Sequence, residues 1–357
     1  MARFVGKYNW GKHNCVYYYV SKHMRKTILN IILTITVLSC SSGDQPNETG
    51  EQFCGVYYGS VDLVSDEMIK DFAKCNYTEI TGTLGIYDYS VYDPITSLSP
   101  LKSLKKIGGK LVLTSLKELT NLDGLQNLES VGSLEIFYAD KLENLNALDK
   151  LQTTYIEMSK NPSLKNIDAL DMDIEEMTTI AFTDLPLLES LKCFSNVKSI
   201  RNALIIENND SLIDLTGLEN VESIGLATTP ADCCGTLVID DNYNITSLKG
   251  LDNLTKIRGD FHLTTNYALT NIDALKNLTY IDGDLNIVQN THLGDLDGLQ
   301  NLTTLRGDLV IRNNLLLAWF CGLQNLFLAD GLTGRYTVDH NLNNPSEYYI
   351  VNSPPCE

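Results

Sequence analysis

The stretch from Gly283 to Leu302, GDLNIVQNTHLGDLDGLQNL, spaces its apolar residues first by two and then by three. Leu285 and Ile287 make the two-step pair; Leu293, Leu296, Leu299 and Leu302 make the three-step run beyond Asn290. A step of two places side chains on one face of a short strand. A sustained step of three drifts around a 3.6-residue spiral, so it predicts extended segments bent at corners rather than a long helix. The unit recurs: Leu237, Phe261, Leu285 and Leu309 open successive copies 24 residues apart. From Leu237 the inward positions are Ile239, Asn242, Ile245, Leu248, Leu251, Leu254 and Ile257. Leu111 and Leu204 open similar copies, and weaker ones begin near Leu84, Leu134, Tyr155, Thr179 and Tyr336.

An all-β repeat solenoid follows, a parallel β-helix of about eleven coils of roughly 24 residues over positions 80–341. One such coil has too few apolar side chains to offset its own ordering entropy, so stacking must supply the remainder and one continuous domain results. Gly217, Gly250, Gly298 and Gly322 mark one bend, and Gly259, Gly283 and Gly307 another. Asn209, Asn242, Asn266, Asn290 and Asn314 form a polar column inside the apolar pattern. Buried amides are costly unless bonded, which predicts a structural asparagine ladder rather than a catalytic set. The column stops at Ala139, so the early coils are expected to turn differently.

The pattern L-x-x-L-x-G-L-x-N-L-x-x-I-x-G-x-L-x-I-x-x-N, approached by Leu293 to Asn314, resembles bacterial leucine-rich repeat proteins related to the receptor L domain. That resemblance implies a right-handed β-helix and a part in ligand binding. It names no ligand and carries no active-site motif.

The first residues need a different reading. MRKTILNIILTITVLSC, Met24 to Cys40, joins a basic start to an apolar run too short to span a bilayer, which suits an export signal over 24–39. VLSC resembles a lipobox, which implies lipidation of Cys40 and anchoring in the outer membrane. Residues 1–23 then form an extension with no place in the signal. The polar segment 40–52 reads as a flexible tether, and its serine and acids resemble the surface-export signal of Bacteroidota lipoproteins, implying a location facing the cell exterior. With 45 acidic against 27 basic side chains and a net charge of −18, the chain repels phosphate backbones, so nucleic acid is not an expected partner.

Export favours disulfides. Cys54 and Cys75 bracket an N-terminal cap over 53–79, whose second half suits one short helix, and are expected to pair. Cys321 and Cys356 are expected to pin a C-terminal cap over 342–357. Cys193, Cys233 and Cys234 remain: either of the adjacent pair could reach Cys193, or the two could bond each other.

No GxSxG, HExxH, phosphate loop or CxxC motif is present, and His262, His292 and His340 are scattered, so neither a metal nor another cofactor is expected. Asp260, Asp284 and Asp308 recur one coil apart; they suit a solvated turn face, with weak calcium binding or attachment to a cationic surface as the sharper alternatives. On the outward strand face the early coils carry Tyr87, Tyr89, Phe137 and Tyr138, with Tyr92 nearby, although the ladder offset could turn Tyr89 inward. Exposed aromatics on a rigid sheet suit contacts with a glycan or a protein ligand. The expectation is a non-catalytic binding or adhesion protein. A carbohydrate-active enzyme on a β-helix and a passive envelope spacer are the alternatives.

Overall fold

The computed structural model describes residues 55–90, 94–225 and 235–354. Among them the chain forms one parallel sheet of 18 strands with few helices. Val61, Leu84, Leu111, Leu134, Ile156, Ile180, Leu204, Leu237, Phe261, Leu285, Leu309 and Tyr336 stand in register, each against the next. Two of the weaker coils therefore begin one residue later than the periodicity suggests, at Ile156 and Ile180 rather than Tyr155 and Thr179. The pairing also reaches into the N-terminal segment, where Val56–Tyr57 and Val61–Leu63 join the sheet.

The inward positions of the coil from Leu237 are fully buried, Asn242 included. Its leucines and isoleucines belong to one continuous apolar core that runs from Leu63 to Ile350. Full burial of each large aliphatic side chain contributes about 1.5–3 kcal/mol, so the columns outweigh any local preference.

The steps of three come from a different backbone than extended segments. Leu299 donates its N–H to the Leu296 carbonyl at 2.8 Å, and Leu302 to Leu299 at 2.9 Å. Among the described residues six such places tighten into 3₁₀ turns: Ser99–Leu101, Asn146–Leu148, Lys192–Phe194, Asp273–Leu275, Asp297–Leu299 and Cys321–Leu323. In this geometry residues i and i+3 eclipse, which yields a period of three while satisfying the backbone locally. A small residue occupies the middle of each turn from Asn146 onward, as at Ala147, Cys193, Ala274, Gly298 and Gly322. A methyl added at Gly298 would fall on the Ile272 carbonyl of the coil before. Cys193 is thus a small apolar filler, and it is a free, buried thiol, which removes its pairing with Cys233 or Cys234. Burial pushes its thiol above the ordinary range.

The ends are closed by different devices. Helix Asp66–Ala73 starts at Ser65, whose hydroxyl accepts from the Met68 N–H, and turns Ile69 into the core. Beside it Tyr57, Phe72 and Tyr77 pack with ring centroids 4.9–5.5 Å apart. At the other end the Gln324 amide donates to the carbonyls of Val351 and Ser353, holding helix Glu347–Val351 with Ile350 buried.

Candidate functional site

One corner organises every coil from Leu111 on. Ser115, Tyr138, Lys160, Asp184, Asn208, Asp241, Thr265, Gln289, Asn313 and His340 all adopt left-handed backbone, with φ between 53° and 60°. Each stands four residues after the first inward residue of its strand, turning the chain out of the sheet. Such a turn leaves the next N–H and the last inward carbonyl without strand partners. An asparagine one coil further on meets both needs. Asn290 Oδ1 accepts from the Asn266 N–H at 3.1 Å, and its Nδ2 donates to the Leu263 carbonyl at 2.8 Å. Asn209, Asn242, Asn266 and Asn314 repeat this arrangement.

The ladder has two further members. Asn341 serves Asn314 and Ile311 at the C-terminal end, and Asn161 serves the Ala139 N–H and the Ile136 carbonyl. Asn161 was hidden by the one-residue offset of its coil, and Leu185 interrupts the column between it and Asn209. The early coils therefore do not all abandon the amide: the coil at Ala139 is served by the next one.

The first coil does turn differently. There Asp88 is buried, and its carboxylate accepts from Ser90 and Ile95 N–H groups at 2.9 and 3.0 Å. Because Asp88 takes the corner, Tyr89 is not drawn inward but stands 74 % exposed. It stacks on Tyr87 with rings 6.1 Å apart and nearly parallel. Tyr87 lies over Gly85, where a Cβ would enter its ring. Burial, with Asp62 next, raises the Tyr87 phenol above its ordinary value.

Phe137 is half-buried in the same strand-face column, two strands from Tyr87 with Thr114 between them. At a strand spacing of about 4.8 Å this separates the two by about 10 Å. Tyr138, the next residue, is exposed at the left-handed corner with the Lys160 ammonium 5.3 Å from its ring centre. Beneath them Glu135 is nearly buried between Lys110 at 2.8 Å and the Ser133 hydroxyl at 3.0 Å. The structure thus brings the four aromatics to one face. Tyr92 lies outside the described residues, as do Cys40, Cys54, Cys233, Cys234 and Cys356.

The aspartate column is a second ladder. The Asp284 N–H donates to Asp260 Oδ1 at 2.8 Å, Asp308 to Asp284 at 2.7 Å, and Arg335 to Asp308 at 2.8 Å. Among the described residues no group of three or more His, Cys, Asp or Glu is placed to hold a metal. The carboxylates are engaged by backbone instead. Their electrostatics diverge: burial leads in raising Asp284, whereas the bonded Arg335 guanidinium lowers Asp308.

Residues 246–325 match the receptor L domain. This is the stretch in which coils of 24 residues follow one another with an unbroken ladder. No curated protein and no solved structure matches the chain. The receptor L domain is a ligand-binding type whose members bind protein ligands. Among the described residues no helix is long and apolar enough to cross a membrane.

Proposed function

We propose that this chain is a non-catalytic binding protein that captures a protein ligand on the aromatic face formed by Tyr87, Tyr89, Phe137 and Tyr138. The observation that carries this reading is the placement of Tyr87 and Phe137 on one sheet face, with Tyr89 and Tyr138 just past the ends of the same strands, in a chain that matches the receptor L domain over part of its length. Aromatic anchors of this kind dominate binding energy because they bring large apolar area at low entropic cost. Lipidation at Cys40, anchoring in the outer membrane and presentation to the exterior belong to the same proposal, as do the Cys54–Cys75 and Cys321–Cys356 disulfides at the two caps. A glycan is the second ligand class that exposed aromatics suit.

The experiment is an array of extracellular proteins and glycans probed with the parent and with Tyr87→Ser, Phe137→Ser, Tyr138→Ser combined. Capture of a protein by the parent and its loss in the variant supports the proposal. Turnover of a polysaccharide by the purified chain would point to a carbohydrate-active enzyme instead, and unchanged capture by the variant would move the site elsewhere.

A further inference from the structure

A second aromatic feature lies in the regular half, apart from the early patch. Tyr243 and Tyr267 occupy equivalent corner positions in adjacent coils, stacked with centroids 5.2 Å apart and planes 18° from parallel. Both are substantially exposed, at 44 % and 39 %. In the preceding coil the same position holds Asp210, whose Oδ1 accepts from the Tyr243 N–H at 3.2 Å. The Tyr243 ring face that Tyr267 leaves uncovered is therefore on the Asp210 side. Asp241 stands two residues before Tyr243, and burial together with Asp240, Asp210 and Asp184 raises it above the usual carboxylate range. Among the described residues neither Asp210 nor Asp241 makes an ion pair.

The same molecule shows what completes such a set. At Tyr280 the following coil supplies Arg306, whose guanidinium lies 5.5 Å from the ring centre and 3.2 Å from Asp282. The Tyr280 hydroxyl closes the triad by donating to Asp282 at 2.9 Å. Tyrosine, carboxylate and arginine thus satisfy one another within the fold. At Tyr243 the tyrosine and the carboxylates are in place, and no arginine among the described residues joins them.

We propose that Tyr243, Tyr267, Asp210 and Asp241 form a docking site for an arginine side chain presented by a partner protein. The planar guanidinium stacks on the Tyr243 face and donates charge-assisted hydrogen bonds to the flanking carboxylates. Lysine lacks the plane that stacks and is the poorer ligand. Complementary charge against an acidic chain also speeds encounter with a basic partner.

The test is calorimetric titration of the full chain with a Gly-Arg-Gly-Arg-Gly peptide, its citrulline counterpart and its lysine counterpart. Citrulline keeps the shape and removes the charge. The arginine peptide is expected to bind at least tenfold more tightly than the citrulline peptide and more tightly than the lysine peptide. Tyr243→Ser with Tyr267→Ser is expected to lose at least tenfold, and Tyr243→Phe with Tyr267→Phe to retain affinity, showing that the rings matter and not their hydroxyls. Asp210→Asn with Asp241→Asn keeps the acceptor for the Tyr243 N–H and is expected to lose binding as well. Asp123→Asn with Asp149→Asn removes the same charge elsewhere and is expected to change nothing. Four results overturn the proposal: no binding of the arginine peptide by the parent, equal binding of the citrulline peptide, full affinity in the serine pair, or an equal loss in the distant charge pair.

Discussion

The coils from Leu237 to Leu309 and those from Leu84 to Ile180 share one parallel stack but solve its corner differently. In the later set the coils opened by Leu237, Phe261 and Leu285 are each 24 residues long, and every corner is served by an asparagine. In the earlier set lengths vary, a carboxylate replaces the amide at Asp88, and asparagines serve the corners only of the Leu134 and Ile180 coils, through Asn161 and Asn209. The difference teaches that the stacked core tolerates several corner devices, provided the backbone groups freed by the turn find partners. Where the device is regular the outward positions are mostly polar or small. Where it is irregular, aromatic side chains stand on the strand face itself, at Tyr87 and Phe137, whereas the regular coils hold Tyr243 and Tyr267 only past the corner.

The largest test of this contrast is to break the ladder. Asn290→Ala strands the Asn266 N–H and the Leu263 carbonyl in the core, and should cost about 2–5 kcal/mol in urea unfolding. Asn290→Asp should cost more, since a carboxylate cannot donate to the carbonyl and adds a buried charge. By contrast Leu185, where the column already lacks an amide, should accept Met for less than about 1.5 kcal/mol.

A smaller loss is expected from the turn column. Gly298→Ala places a methyl against the Ile272 carbonyl and should cost about 1–3 kcal/mol, measured by the same unfolding midpoint. A gain is expected from the left-handed corner, where Thr265 is β-branched at φ 57°. Thr265→Asn should raise stability by about 0.5–1 kcal/mol, because asparagine tolerates that backbone at lower cost.

The aspartate ladder offers a pH test whose two ends have opposite signs. Asp284 is raised in the folded state, so folding binds its proton more tightly and its charged form is a penalty above the carboxylate range. Asp284→Asn keeps an oxygen for the Asp308 N–H and should stabilise at neutral pH, with the gain fading as pH falls through the carboxylate range. Asp308 is lowered by Arg335, so its contribution is present above the unfolded value and lost as pH falls through the folded one. Asp308→Asn should therefore destabilise at neutral pH and approach the parent in acid. Thermal midpoints between roughly pH 2 and pH 7, a window that brackets the ordinary carboxylate range, would separate the two.

The smallest structural change has a functional readout. Gly85→Ala should leave the unfolding midpoint nearly unchanged, because the atom it meets first is the movable end of Tyr87. It should nonetheless lift that ring off the sheet and weaken ligand capture, read by the same array.

How far the sequence discloses this architecture depends on which force sets each position. The leucine and isoleucine columns were legible because apolar burial repeats with the coil and dominates the energy. Asn161 was not, because coils of irregular length move the register by one residue and carry the amide off its expected place. The 3₁₀ turns are not legible, since a period of three states which side chains share a face and not how the backbone closes its hydrogen bonds. Tyr89 was ambiguous for the same reason: its direction follows from Asp88 capturing two N–H groups, a local bond that no periodicity records. The Tyr243–Tyr267 pair lay in plain view at a 24-residue interval, but nothing in its spacing distinguishes a stacked pair from two separate tyrosines.

The central claim is that the strand face of the irregular coils captures the ligand and the strand face of the regular coils does not. It is tested most directly by array capture with two matched variants of the sheet face. One is Tyr87→Ser, Phe137→Ser, Tyr138→Ser, and the other is Val238→Ser, Val288→Ser, Val310→Ser in the regular coils. Loss of capture in the first with full capture in the second is the predicted result. Full capture in the first with loss in the second would contradict it and place the ligand on the ladder half.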